Sequence, residues 1–229
     1  MECNLQNPTL SLFFSKQHAK TLFQLLIMIE VALVALYLMD HLFLLFSKSH
    51  HIIDLDGEAN FPSWFSSVQL FFIGFLLLLQ LFKTPQLKNI SLIFLSIIGL
   101  SFLFLSLDES ISFHEKFNFR FVHIDWLPRF KNNHGLWIPI YLAMIISFLF
   151  FSKHQISNVW KYYRKELTIF STGMVLFLLG GVVLEIISYE YLRVNELSKA
   201  YLLEVAMEEG LEMIGATFML YASLLLALH

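Results

Sequence analysis

Residues 102–117 read FLFLSLDESISFHEKF, an apolar run that ends abruptly in Asp108, Glu109, His114 and Glu115. Carboxylates grouped with an imidazole are the side chains that move protons or hold hard cations. On a continuous helix, at about 100° per residue, Asp108, Ser112 and Glu115 form one stripe with Glu109 beside it, and His114 points elsewhere, over Ser110. This is not the Glu-x-x-His spacing of bundle di-iron proteins, whose ligands converge at i, i+3. A second acidic set opens the last apolar segment, where Glu204, Glu208 and Glu212 follow i, i+4, i+8 and Glu209 lies one step round. All four fall within an arc of roughly 140°. Gly215, Met219 and Ala222 continue that face with small or flexible side chains, so it is expected to look into a helix bundle rather than at lipid. Glu185 follows Gly180 and Gly181 near the end of the segment before, with Ser188 and Tyr189 close by.

The elements that must carry these groups are legible in the hydropathy. Of 229 residues, 57% are hydrophobic and 16% aromatic, and the mean hydropathy is +0.67, well beyond the balance of a soluble domain. Apolar segments fall at 21–46, 64–82, 90–109, 136–152, 167–187 and 201–228, each near the roughly 20 residues that cross the hydrocarbon core. In lipid the backbone must satisfy itself, and runs without strand-like alternation leave only helices. The expected fold is an all-α integral membrane bundle of about six helices, in a single domain spanning 1–229. The first segment is too long for a cleavable signal and lacks a small-residue cleavage site. Cys3 cannot form an intramolecular disulfide. A net charge of −3 from 15 basic and 18 acidic residues gives no footprint for nucleic acid; the expected partner is the lipid bilayer. Lys and Arg divide eight to seven between the two sides, while Asp54, Asp56, Glu58, Asp125, Glu190 and Glu196 all fall on the second. This favours both termini inside, in a prokaryotic plasma membrane, with the acids on the outer side.

In that topology the third and fifth helices run outward and end in their acids, and the sixth runs inward and begins with its own. Eight carboxylates, Asp108, Glu109, Glu115, Glu185, Glu204, Glu208, Glu209 and Glu212, then reach one level beside His114. The candidate cations there are Lys116, Arg120, Arg193 and Lys199. Charges at membrane depth are costly, and like charges in contact cannot all stay ionised. Three compensations follow. The acids can sit at a wet interface, paired with those cations and with the dipole of the last helix; Glu212 fits this poorly, since that effect fades within a turn. They can hold a divalent metal, with Asp108, Glu115, Glu185, Glu208, Glu209 and Glu212 as ligands; so many oxygens suit Mg, Ca, Mn or Fe. They can instead share protons, as proton and cation pathways do.

Other groups are weaker candidates. Asp54, Asp56 and Glu58 resemble the start of a calcium loop, but the downstream Glu is missing. Pro62 and Trp64 suit a helix entry at the interface, with Asn60, Ser66 and Ser67 at the level of the acids. Adjacent His50 and His51 point apart on any regular backbone. In 117–135, Phe117, Phe119 and Phe121 alternate with Asn118 and Arg120, and Trp126 and Trp137 follow, which suits an interfacial loop. Asp40 and His41 either extend the cluster or meet water. Glu30 stands alone among apolar neighbours in its segment, either a functional candidate by position or the partner of a residue that the sequence does not mark out.

The stretches EANFPSWFSS (58–67), FLSLDESISFHE (104–115) and EEGLEMIGATFMLYA (208–222) resemble a widespread group of functionally uncharacterised prokaryotic multi-pass membrane proteins carrying LDExxxxHE and EExxEMxGA blocks. The resemblance implies that the acidic blocks belong to one recurring design. Alkaline ceramidase-type membrane hydrolases also combine Ser, Asp and His at a helix-bundle zinc site, but this chain lacks their paired histidines on a late helix. As an enzyme, the protein would use a metal to activate water or oxygen against a lipid-like substrate, with Asp108, Glu109, His114 and Glu208 catalytic. As a transporter it would pass a cation or protons through the same acids, with Glu30 continuing the route. As a structural or regulatory subunit it would do no chemistry.

Overall fold

The computed structural model describes residues 15–43, 50–57, 59–82, 90–121, 123–124, 128, 130–131, 134–195 and 198–228. Cys3, Glu58, Asp125, Trp126 and Glu196 lie outside the described residues, as do the side chains of His50 and His51. The described regular elements are all helical: α1 (Lys16–Phe43), α2 (His50–Ile53), α3 (Phe61–Leu79), α4 (Leu92–Ile111), α5 (Phe113–Phe121), α6 (Trp137–Tyr162), α7 (Arg164–Leu178), α8 (Glu185–Ile187) and α9 (Lys199–Ala227). A 3₁₀ turn extends α3 to Phe82, and two π-helical stretches, Leu179–Leu184 and Ser188–Leu192, flank α8 and make one continuous run from Arg164 to Leu192. Among the described residues six runs are long and apolar enough to cross a bilayer. The protein is an all-α membrane bundle.

Helix ends follow local chemistry. Asn60 caps α3: its side chain accepts from Ser63 N at 3.1 Å, while Asn60 N donates back to Ser63 Oγ at 3.3 Å, a reciprocal capping box. Ser198 caps α9 by accepting from Tyr201 N. Helix α6 runs about ten residues past its expected end at 152, through the polar stretch 153–162, because a helix needs no lipid to keep its backbone bonds.

The last helix is the axis of the bundle. It is buried over much of its length and packs on α1, α3 and α7, while α4 packs on α3. Gly173 and Gly215 let α7 and α9 touch: a Cβ on either would lie 2.5–2.6 Å from the other's carbonyl oxygen, closer than any side chain allows. Met28, Ile93, Leu100, Met144, Ile146 and Phe151 are exposed, as a surface bathed in hydrocarbon requires. Helix α6 stands apart, with Ile138 its one fully buried residue among those described.

Candidate functional site

The expected Asp108–Ser112–Glu115 stripe does not form. Helix α4 ends at Ser112, which adopts the left-handed conformation with φ +51°, and α5 sets off in a new direction. The reversal brings His114, not Glu115, back onto Asp108. His114 N donates to Asp108 Oδ1 at 2.8 Å, and His114 Nδ1 lies 3.2 Å from the same oxygen. From α6, Tyr141 donates its hydroxyl to Asp108 Oδ2 at 3.0 Å. Both oxygens of this buried carboxylate are therefore engaged. Burial draws the His114 imidazole down, but its bond and charge pairing with Asp108, with Glu109 and Glu115 adding to them, hold it above the ordinary histidine range. Its ring packs 5.2 Å from Trp137, whose Nε1 is buried beside Tyr189 without a well-formed hydrogen bond.

The turn also corrects the reading of 117–121, which is helix rather than interfacial loop: Phe113, Phe117 and Phe121 line one face of α5 with ring centroids 6.5 and 4.5 Å apart.

The second acidic group joins α8 to α9. Glu208 is in hydrogen-bonding contact with Glu185 and with Glu204 one turn before it. All three are buried. Neither oxygen of Glu204 makes a well-formed hydrogen bond, and Glu208 and Ser188 are its polar neighbours. Carboxylates in such contact need a shared proton or a cation between them. Arg193 stands at the edge of this group. Burial opposes its charge, but Tyr201, Glu185 and Tyr189 raise its pKa further, so it is a fixed cation. It also pairs with Asp56 at 3.6 Å and lies over the Tyr189 ring. Glu209 acts on Tyr37 of α1.

Glu212 explains the glycine pair. A Cβ on Gly180 would lie 2.5 Å from Glu208 O and 2.8 Å from Glu212 Cγ, and one on Gly181 would meet Glu212 Oε1 at 2.7 Å. The π-helical stretch begins one residue before this pair, so α7 widens where Glu212 presses in; such widenings recur at functional sites.

A cavity of about 1670 Å³ unites these groups. Asp108, Glu109, His114, Glu115, Glu185, Glu208, Glu209 and Glu212 all line it. Away from the acids it continues as an apolar trough between α4, α6 and α7, past Phe102, Phe148 and Phe170 to Ile90 and Tyr163. The carboxylates share this cavity but not one point: among the described residues, no three His, Cys, Asp or Glu side chains stand close enough to hold a metal ion as placed.

The remaining candidates have structural partners. Asp54 accepts from Asp56 N, and Asn60 Nδ2 donates to the carbonyls of Asp54 and Gly57, so this loop is braced by its own side chains. Tyr201 donates its hydroxyl to Asp56. Ser67 bonds Ser106 O and Ser110 Oγ, tying α3 to α4. Asp40 is buried, and His41 bonds Tyr37 O. Glu30 is not alone: Gln69 and Thr217, which sequence reading passed over, bond it from α3 and α9.

No curated protein and no solved structure matches the chain. A family model does, over residues 25–228, and the chain belongs to that family, described as Domain of unknown function (DUF8692).

Proposed function

We propose that the protein is a membrane-embedded enzyme that takes a lipid-like substrate into this cavity, tail in the apolar trough and polar end among the carboxylates. One observation carries the reading: a single cavity joins an apolar trough with eight of the nine acidic and imidazole groups that the sequence marks out, all but Glu204. A divalent cation of the Mg, Ca, Mn or Fe class would be held by Glu185 and Glu208, the two cavity carboxylates in contact. Water or substrate oxygens would complete the shell, as hard cations bound by one or two carboxylates require. When bound, the ion would polarise the substrate's reacting group and lower the pKa of a bound water.

The chain's own residues supply the rest. With Nδ1–H given to Asp108, His114 has Nε2 left to accept a proton from an attacking water. Asp108, fixed by Tyr141, holds the ring in that orientation. Glu109 and Glu115 favour the imidazolium that would result, and Arg193, a cation in the cavity lining, would attract a negative head group. In this reading the acids face outward from a prokaryotic plasma membrane and both termini are cytoplasmic.

The test is the metal and lipid content of detergent-purified protein, wild type against Glu185→Gln/Glu208→Gln. Bound divalent metal and co-purifying lipid in the wild type, with metal lost and fold kept in the variant, are expected. Equal and negligible metal in both would overturn the metal assignment, and lipid-free wild type would overturn the substrate class.

A further inference from the structure

A second polar group lies outside the lining of the cavity, in the middle of the bundle. Glu30 of α1, Gln69 of α3 and Thr217 of α9 are all buried, with exposures of 0%, 2% and 0%. Gln69 Nε2 donates to Glu30 Oε1 at 2.7 Å and to Thr217 Oγ1 at 2.6 Å, and Thr217 Oγ1 donates to Glu30 Oε1 at 2.5 Å. An amide nitrogen carries two hydrogens and a hydroxyl one, so these bonds use every donor the triad owns. Two acceptors remain, Glu30 Oε2 and Gln69 Oε1, both buried without a partner. Turning the Gln69 amide over does not help: it sets oxygen against Glu30 Oε1 at the same 2.7 Å, where a proton must again lie between them. In either orientation the group is short of one positive hydrogen.

Among the described residues, the three helices that form the group supply no charge close enough to replace it. Helix α3 contains no charged residue from Phe61 to Leu79. On α9 the nearest Asp, Glu, Lys, Arg or His is Glu212, five residues from Thr217 and about 7.5 Å along the axis, and Tyr221 lies one turn from Thr217 on the other side. On α1 Lys20 and Asp40 are each ten residues from Glu30, about 15 Å away. Gln69 and Thr217 are the side chains that act on Glu30. A buried carboxylate without a cation is strongly unfavourable and takes up a proton instead.

We propose that Glu30, Gln69 and Thr217 form a proton-binding site at the centre of the bundle, with the proton carried by Glu30. The site joins three helices, and α1 is among the least embedded of the six spans. Release of the proton leaves a charge that three packed helices cannot solvate, so the protonation state is linked to how α1 seats on α3 and α9.

Infrared difference spectroscopy of the full chain in lipid, wild type minus Glu30→Gln, tests this. At neutral pH the difference should show the carbonyl stretch of an un-ionised carboxylic acid, shifted by exchange into heavy water. Glutamine has the shape of the protonated acid, so the variant should retain the wild-type melting temperature. Thr217→Val removes a bond to Oε1 and should raise the frequency of that band, a readout that survives should Glu30→Gln fail to fold. A carboxylate band in its place, or an acid band seen only when sodium is withdrawn, would overturn the proposal; the latter would make the site one for sodium.

Discussion

His114 is bonded twice to Asp108, through its backbone N–H at 2.8 Å and its ring Nδ1 at 3.2 Å, across a backbone that turns left-handed at Ser112 between them. The contact exists because of that turn. A non-glycine residue at φ +51° has no intrinsic preference for it.

Ser112→Gly therefore keeps the geometry and relieves the strain, and the expected change is neutral to stabilising by up to about 1 kcal/mol. Ser112→Val has a β-branched side chain that resists the left-handed region and should destabilise by about 1–3 kcal/mol while separating His114 from Asp108. Unfolding of the two variants in mixed micelles, compared with wild type, measures both. Equal behaviour of Gly and Val would show that the turn stores no strain.

The same pair sets a pH dependence. The folded pKa of His114 lies above its ordinary value of 6.5, so the folded state holds this proton more tightly than the unfolded chain does. The stabilisation is thus complete below about pH 6.5 and is lost as pH rises through the higher folded value. Melting temperature should fall with rising pH across that window in the wild type. Asp108→Asn, which removes the charge that holds the proton, should flatten this part of the profile.

The acids of α9 were legible in the sequence because a single unbroken helix keeps its period, and the inward turn of Gly215, Met219 and Ala222 followed from the same count; all three are buried. The Asp108–His114 contact was not legible, since no glycine, asparagine or proline marks the break at Ser112 and helical arithmetic carried straight through it. Gln69 and Thr217 were hidden for a different reason. They lie 148 positions apart, and an isolated Gln or Thr in an apolar segment carries no signal of its partner until the helices are packed. The six spans were legible from hydropathy alone, which fixes length and composition but not which helix stands off to open a cavity.

Gly180 and Gly181 test the widened stretch of α7. Gly180→Ala drives a methyl into the backbone oxygen of Glu208, which cannot move aside, so a loss of about 1–3 kcal/mol is expected. Gly181→Ala meets only the end of the Glu212 side chain, and should cost less stability while displacing that carboxylate from its place in the cavity. Gly210→Ala is the control, because its nearest contact is a Val34 methyl at 3.3 Å; a small change in either direction is expected there. Chemical unfolding of the three variants orders them, and a Gly210→Ala as damaging as Gly180→Ala would remove close approach as the reason for the glycine pair.

The central triad gives the sharpest contrast between losing one polar group and losing all. Gln69→Leu takes two donated hydrogens from the group and leaves buried oxygens on Glu30 facing hydrocarbon, an expected loss of about 1–3 kcal/mol. Replacing the three together, as Glu30→Met/Gln69→Met/Thr217→Val, removes every donor and acceptor at nearly constant volume, and should return stability to about the wild-type level or above it. If the triad served only to pack α1, α3 and α9, the triple variant would then match the wild type in every respect. If it serves a proton, the triple variant stays folded, but any stability change that tracks titration of Glu30 vanishes from its pH profile. Melting curves of the single and triple variants across pH decide between the two, and a triple variant less stable than Gln69→Leu would contradict the hydrogen count on which the site rests.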